Sequence, residues 1–128
     1  MNAENVARHI AEWMSDYLRG TGARGFVVGI SGGIDSAVVS SLAALSGHRT
    51  LCVTLPIHQA KSQVNRAAEH AAALCTRYPN VQVADADLTG VYDTFVAALA
   101  PSCPNDVAKG VSELAGANAR SRLRMTGL

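Results

Sequence analysis

The stretch Ser31-Gly32-Gly33-Ile34-Asp35-Ser36 gathers two hydroxyls, two adjacent glycines and a carboxylate, a set of groups suited to phosphate. Gly32 and Gly33 allow main-chain N–H groups to approach phosphate oxygens with no Cβ in the way, and Ser31 and Ser36 add hydroxyl donors. Asp35 is well placed to hold a magnesium ion that would bridge those phosphates. The loop is not a Walker loop, because G-x-x-x-x-G-K-[ST] is absent and no lysine follows the glycines. Its cations must therefore come from elsewhere in the chain. A plainer reading makes Asp35 or Ser36 an N-cap after a glycine turn, worth about 1 kcal/mol.

The flanking elements favour phosphate. "GFVVGI", residues 25–30, is a short β-branched run without polar alternation, the pattern of a strand buried on both faces of a parallel sheet. A helical pattern follows from Ser36 to about Ser46, through Ala37, Val38, Val39, Leu42, Ala43 and Leu45. Strand, loop and helix in that order aim backbone donors and the positive end of a helix dipole above a sheet edge.

The remaining chain repeats the theme. Val6, Ile10, Met14, Tyr17 and Leu18 recur every three or four residues and predict an opening helix that stops at "RGTG". "TLCVTLP" predicts a second buried strand ended by Pro56, followed by a long alanine-rich helix from about Gln63 to Tyr78. "VQVADADL" predicts a third strand, and Asp87 or Thr89 caps a helix over "GVYDTFVAALA". "PSCPND" reads as a loop, with Asn105 or Asp106 capping a last helix from about Val107. Such alternation predicts an α/β fold, a doubly wound parallel sheet with the glycine loop at the carboxyl end of its first strand, where such sheets bind ligands.

Bulk properties narrow the function classes. The 128 residues suit one domain, with 48% hydrophobic and 16% charged residues enough for a packed core. A net charge of +1 gives no reason to expect nucleic acid or an anionic membrane as partner. No apolar stretch approaches the roughly 20 residues that cross a bilayer, and the N-terminus lacks a secretory pattern, so a cytoplasmic protein is expected. Cys52, Cys75 and Cys103 form no CxxC pair and read as free thiols. His9, His48, His58 and His70 share no metal-ligand spacing and read as solvated or hydrogen-bonded. No Ser-His-Asp or Cys-His constellation is recognisable.

"SGGIDS" resembles the SGGxDS signature of the ATP pyrophosphatase superfamily, whose members grip the pyrophosphate end of ATP and activate a substrate at the α-phosphate. "YLRGTGARGFVVGISGGIDSAV", the "LP" after the second strand, "DLTGVYDTF" and "ANARSRLRM" together resemble ammonia-dependent NAD synthetase. The similarity spans essentially the whole chain and the N-terminal half of that family's catalytic domain. It implies a Rossmann-like sheet of the adenine nucleotide α-hydrolase type, cut after three strands. It further implies ATP on Gly29, Ile30, Ser31, Gly32, Gly33, Ile34, Asp35 and Ser36, magnesium on Asp35, and deamido-NAD near Asn118 and Arg122, with Arg124 a further candidate.

Tyr17 matches a family position near the dinucleotide, although its place in the helix-one stripe also fits packing. The residues alone would leave the terminal arginines as a solvated helix end. The resemblance implies a homodimer that adenylates deamido-NAD with ATP, releases pyrophosphate, and forms NAD when ammonia displaces AMP. About 25 residues ahead of the first strand leave no room for a glutaminase domain, so ammonia is the expected donor. The chain is expected to be the N-terminal part of one synthetase domain, with an apolar edge bared on its first strand and its activity alone left open. Alternatives are another ATP pyrophosphatase, GMP synthetase-like or tRNA-modifying, and a non-catalytic nucleotide-binding module.

Overall fold

The computed structural model describes residues 1–99 and 113–128. Helix α1 (Ala3–Thr21) starts where the Asn2 side chain accepts the Asn5 N–H at 3.2 Å and stops at Gly22, whose φ of 72° is left-handed. Its buried residues are Ala11, Ser15 and Leu18. The expected stripe is therefore shifted: Tyr17 is 63% exposed and stacks on Trp13 at 5.6 Å instead of entering the core. The reason is steric, since small Ala11 and Ser15 let a neighbouring helix approach closely, and the Ser15 hydroxyl bonds the His48 ring at 2.8 Å.

Strands β1 (Phe26–Gly29), β2 (Thr50–Thr54) and β3 (Val81–Asp85) form a parallel sheet in the order β1-β2-β3. Helices α2 (Ile34–Leu45) and α3 (Lys61–Arg77) make the crossovers. Ile30, Cys52 and Val81 on the sheet side meet Ala44 of α2 with Ala67 and Leu74 of α3 in one cluster. Alanines at these contacts bring helix backbones close to the sheet, so a small core closes without large side chains. Burial on both faces was expected of β1, and this is corrected. Val27 points to the face opposite Val28 and is 51% exposed.

The helices begin and end slightly off expectation, α2 at Ile34 instead of Ser36 and α3 at Arg77 instead of Tyr78. Helix α4 (Thr89–Leu99) follows a turn in which the Asp87 carboxylate accepts the Thr89 N–H at 2.8 Å. That bonding from Thr89, with a lesser pull from His58, holds the Asp87 carboxyl below its usual range. Helix α5 (Glu113–Gly127) is the last element, and the expected caps Asn105 and Asp106, like Cys103, lie outside the described residues. Cys52 is buried and Cys75 exposed, both as free thiols. Among the described residues no helix is long and apolar enough to cross a membrane.

Asn80 locks the crossovers together. Its side-chain amide donates to the carbonyls of Ala44 at 3.0 Å and His48 at 2.8 Å, and its own carbonyl accepts the Thr50 N–H at 2.9 Å. The end of α2 and the turn after it thus share the Asn80 side chain, and the start of β2 is tied to the main chain of the same residue. Asn80→Ala is expected to lower the unfolding free energy by about 2 kcal/mol, one unit for each amide bond removed. Urea denaturation checks this, and an unchanged midpoint would show that water satisfies both carbonyls.

Candidate functional site

The loop begins where β1 runs out of partners. Ile30, 5% exposed, still donates its N–H to the Val53 carbonyl at 2.8 Å, which anchors the chain before it turns. Ser31 then donates its N–H to Ser36 Oγ at 3.1 Å, and Ser31 Oγ accepts the Gly33 N–H at 3.2 Å. Ser36 Oγ donates to the Gly33 carbonyl at 3.1 Å and lies 3.2 Å from Ser31 Oγ. The two hydroxyls expected to face a phosphate are also hydrogen-bonded within the loop and hold its shape.

Gly32 takes a φ of 85°, open to glycine and strained for other residues. A Cβ there would collide with the Gln63 carbonyl, because the first turn of α3 packs directly on the loop. Arg66 Nε, from the next turn of α3, donates to the Gly32 carbonyl at 3.3 Å. Gly33 is the N-cap of α2 and brings no side-chain cap, so neither Asp35 nor Ser36 fills the role that the plainer reading gave them. The N–H groups of Ile34, Asp35 and Ser36 fall in the first turn, where no preceding carbonyl of the helix can reach them. With the helix dipole behind them these donors can receive an anion. Ile34 is 75% exposed and leaves that turn open.

Asp35 is exposed in the same first turn. Among the described residues no group of three or more His, Cys, Asp or Glu side chains could hold a metal ion by itself. One exposed carboxylate in a turn that can receive an anion nevertheless fits magnesium, which is held by one or two carboxylates together with phosphate oxygens and water.

The C-terminal end of α5 closes over the other side of the loop. The Leu128 side chain packs on Gly29, Gly127 meets Leu55, and Arg124 Nε donates to the Leu55 carbonyl at 2.9 Å. Between α5 and the loop lies a gap of about 160 Å³, lined among others by Gly29, Ser31, Leu55, Gln59, Arg124 and Leu128. Burial, and secondarily the charge of Arg120, push the Arg124 guanidinium below its usual value. A larger cleft of about 620 Å³ shares Ile30 and Gln59 with the gap and runs between α3 and the sheet past Thr54, Ala71 and Asp85.

The arginines of the terminal motif fan out as their spacing implied. Arg120 covers the Tyr92 ring at 5.7 Å, Arg124 reaches the loop, and Arg122 is exposed, as is Asn118. Tyr17 lines neither the gap nor the cleft beside the loop. His58, expected to be solvated or hydrogen-bonded, is hydrogen-bonded: it adopts a φ of 48°, donates its N–H to Thr89 Oγ1 at 3.2 Å and meets the Asp93 carboxylate at 2.6 Å. Separations of 31 and 35 residues left no local signal of that pairing.

A family model described as NAD synthase matches residues 6–128. The NH(3)-dependent NAD(+) synthetase of Pyrobaculum aerophilum is 35% identical over 98% of this chain and 44% of its own length. That of Methanosarcina mazei is 32% identical over 98% of this chain and 46% of its own. The solved NMN synthetase of Francisella tularensis superposes with a TM-score of 0.85 at 29% identity, covering 100% of this chain and 49% of that one. The NAD+ synthetase of Burkholderia pseudomallei gives a TM-score of 0.79 at 28% identity, over 99% and 56%. The chain spans about half the length of the curated relatives it matches. An uncapped helix after a glycine loop at the carboxyl end of β1, matched along nearly every residue by one family, leads to a single assignment: the chain belongs to the NAD synthase family.

Proposed function

We propose that the protein carrying this chain uses ATP and ammonia to convert the nicotinate carboxylate of deamido-NAD into the amide of NAD. The observation that carries the reading is the open first turn of α2 behind Gly32 and Gly33, an anion site in a chain whose relatives are named NH(3)-dependent NAD(+) synthetases. A carboxylate oxygen attacks the α-phosphorus, and the bond to the pyrophosphate oxygen breaks. Ammonia then adds to the acyl carbon, AMP leaves with the bonding pair, and a proton is lost to solvent. Neither step needs a side-chain nucleophile, so positioning and charge neutralisation carry the rate.

In this reading the N–H groups of Ile34, Asp35 and Ser36 bind the phosphates, and Gly29 to Gly33 shape the approach. Asp35 holds magnesium, which when bound neutralises phosphate charge. Exposed Asn118 and Arg122 are available to deamido-NAD. The exposed Trp13–Tyr17 stack and the half-exposed Val91, Phe95 and Leu99 of α4 are apolar surface for a homodimer, through which Tyr17 would reach the dinucleotide of a second copy. The protein acts in the cytoplasm.

The likeness to an NMN synthetase supports a second reading, in which the nicotinate carboxylate belongs to a mononucleotide and the product is NMN. Pyrophosphate release from ATP and magnesium by the complete protein, with deamido-NAD or nicotinate mononucleotide and with or without ammonium, separates the two. Release that requires deamido-NAD and yields NAD establishes the first reading, and a response only to the mononucleotide establishes the second. Release with neither points to another ATP pyrophosphatase, and ATP binding without release to a non-catalytic module.

Two substitutions probe the loop. Asp35→Ala is expected to remove the magnesium dependence of ATP binding while the unfolding midpoint stays near wild type, and calorimetry with and without chelator reads it. Gly32→Ala is expected to cost roughly 1–3 kcal/mol of stability from the left-handed backbone and to weaken ATP binding as the loop is pushed off α3. Unaltered ATP affinity in both variants would remove the loop from the site.

A further inference from the structure

We propose that Arg124 supplies the cation that the loop lacks, so that a phosphate group of ATP sits in the gap between Ser31 and the Arg124 guanidinium. The proposal rests on the ATP reading of the loop and separates Arg124 from Arg122, which stays with the nicotinate substrate. The N-terminus of α2 offers only about half an elementary charge, far less than a triphosphate carries. No lysine follows the glycines to make up the difference.

Arg124 is suited to do so. Its Nε is committed to the Leu55 carbonyl at 2.9 Å, which together with the packing of Gly127 and Leu128 fixes the plane of the guanidinium beside the loop. Its terminal N–H groups have no protein acceptor among the described residues. The ion pairs among those residues are Arg8–Glu4, Arg19–Asp16 and His58–Asp93, so Arg124 has no carboxylate partner there. No Asp or Glu lines the gap, and Arg120, on the same helix, adds a repulsive charge. A partly desolvated cation without a counter-ion is costly, and binding an anion relieves that cost.

At about 160 Å³ the gap is well short of the roughly 300–1,000 Å³ typical of sites that enclose a whole small ligand, and it suits a single phosphate group. Arg66, on the opposite flank of the loop, is exposed and more strongly screened by water, and its Nε is spent on the Gly32 carbonyl.

The test uses the complete protein with ATP and magnesium as the probe, in the absence of any nicotinate substrate. Arg124→Gln keeps a donor for the Leu55 carbonyl and removes the charge, whereas Arg124→Lys keeps the charge. Charge-assisted bonding predicts roughly tenfold or greater loss of ATP affinity in Arg124→Gln, with recovery of most of it in Arg124→Lys. In a separate turnover assay at saturating ATP, the KM for the nicotinate substrate is expected to stay near wild type.

Wild-type ATP affinity in Arg124→Gln, recovery by glutamine and not by lysine, or a rise confined to the KM of the nicotinate substrate would each overturn the proposal. If Arg124→Gln does not fold, Arg124→Met, which keeps the aliphatic stem and removes the charge, decides in its place: roughly tenfold or greater loss of ATP affinity upholds the role of the charge, and wild-type affinity overturns it. A wild-type protein that binds no ATP overturns the loop reading and this one together, which sets that failure apart from a failure of Arg124 alone.

Discussion

The site depends on a helix that starts without a side-chain cap. Gly33 occupies the N-cap of α2 and offers no side chain to the first-turn N–H groups, so these donors remain available to a ligand. A capped helix would be more stable by about 1 kcal/mol and would compete with an anion for the same donors. Keeping the turn open requires the loop to be held by other means. The mutual hydrogen bonds of Ser31, Gly33 and Ser36 hold it from inside, and the first turns of α3 hold it from behind through Gln63 and Arg66.

That support explains the rest of the architecture. Helix α3 can press on Gly32 only if it lies low on the sheet, and Ala67 and Ala71 are the side chains that permit this. Asn80 sets where β2 and β3 start relative to the end of α2. The core built this way is narrow and lies on one side of the sheet. The other side carries half-exposed Val27, and among the described residues the end of α5 reaches its carboxyl edge at Gly29 and Leu55.

The distribution of charge follows from the same geometry. The loop holds no cation of its own, and arginines approach it from two elements far apart in the chain, Arg66 from α3 and Arg124 from α5. Each spends Nε on a main-chain carbonyl of the loop region or of the chain after β2, which turns a flexible side chain into a fixed fork. His58 and Asp93 pair in the same manner across the turn that leads into α4, joining the segment after β2 to the segment after β3.

The sequence by itself determined the order of elements, the parallel sheet and the position of the loop, because these follow from apolar runs of strand length, helical periodicity and a glycine pair at their junction. It also carried the family, since the motif residues are contiguous. It misjudged which face of α1 is buried, because a periodic stripe shows what is apolar and not which small residues let another helix come close. It named the two serines for their hydroxyls, and the fold shows that both also hydrogen-bond within the loop. Only the tertiary structure joined Arg124 to Leu55 across 69 residues and His58 to Asp93 across 35. Contacts of that separation are set by how the sheet and helices pack, and no local pattern of residues records them.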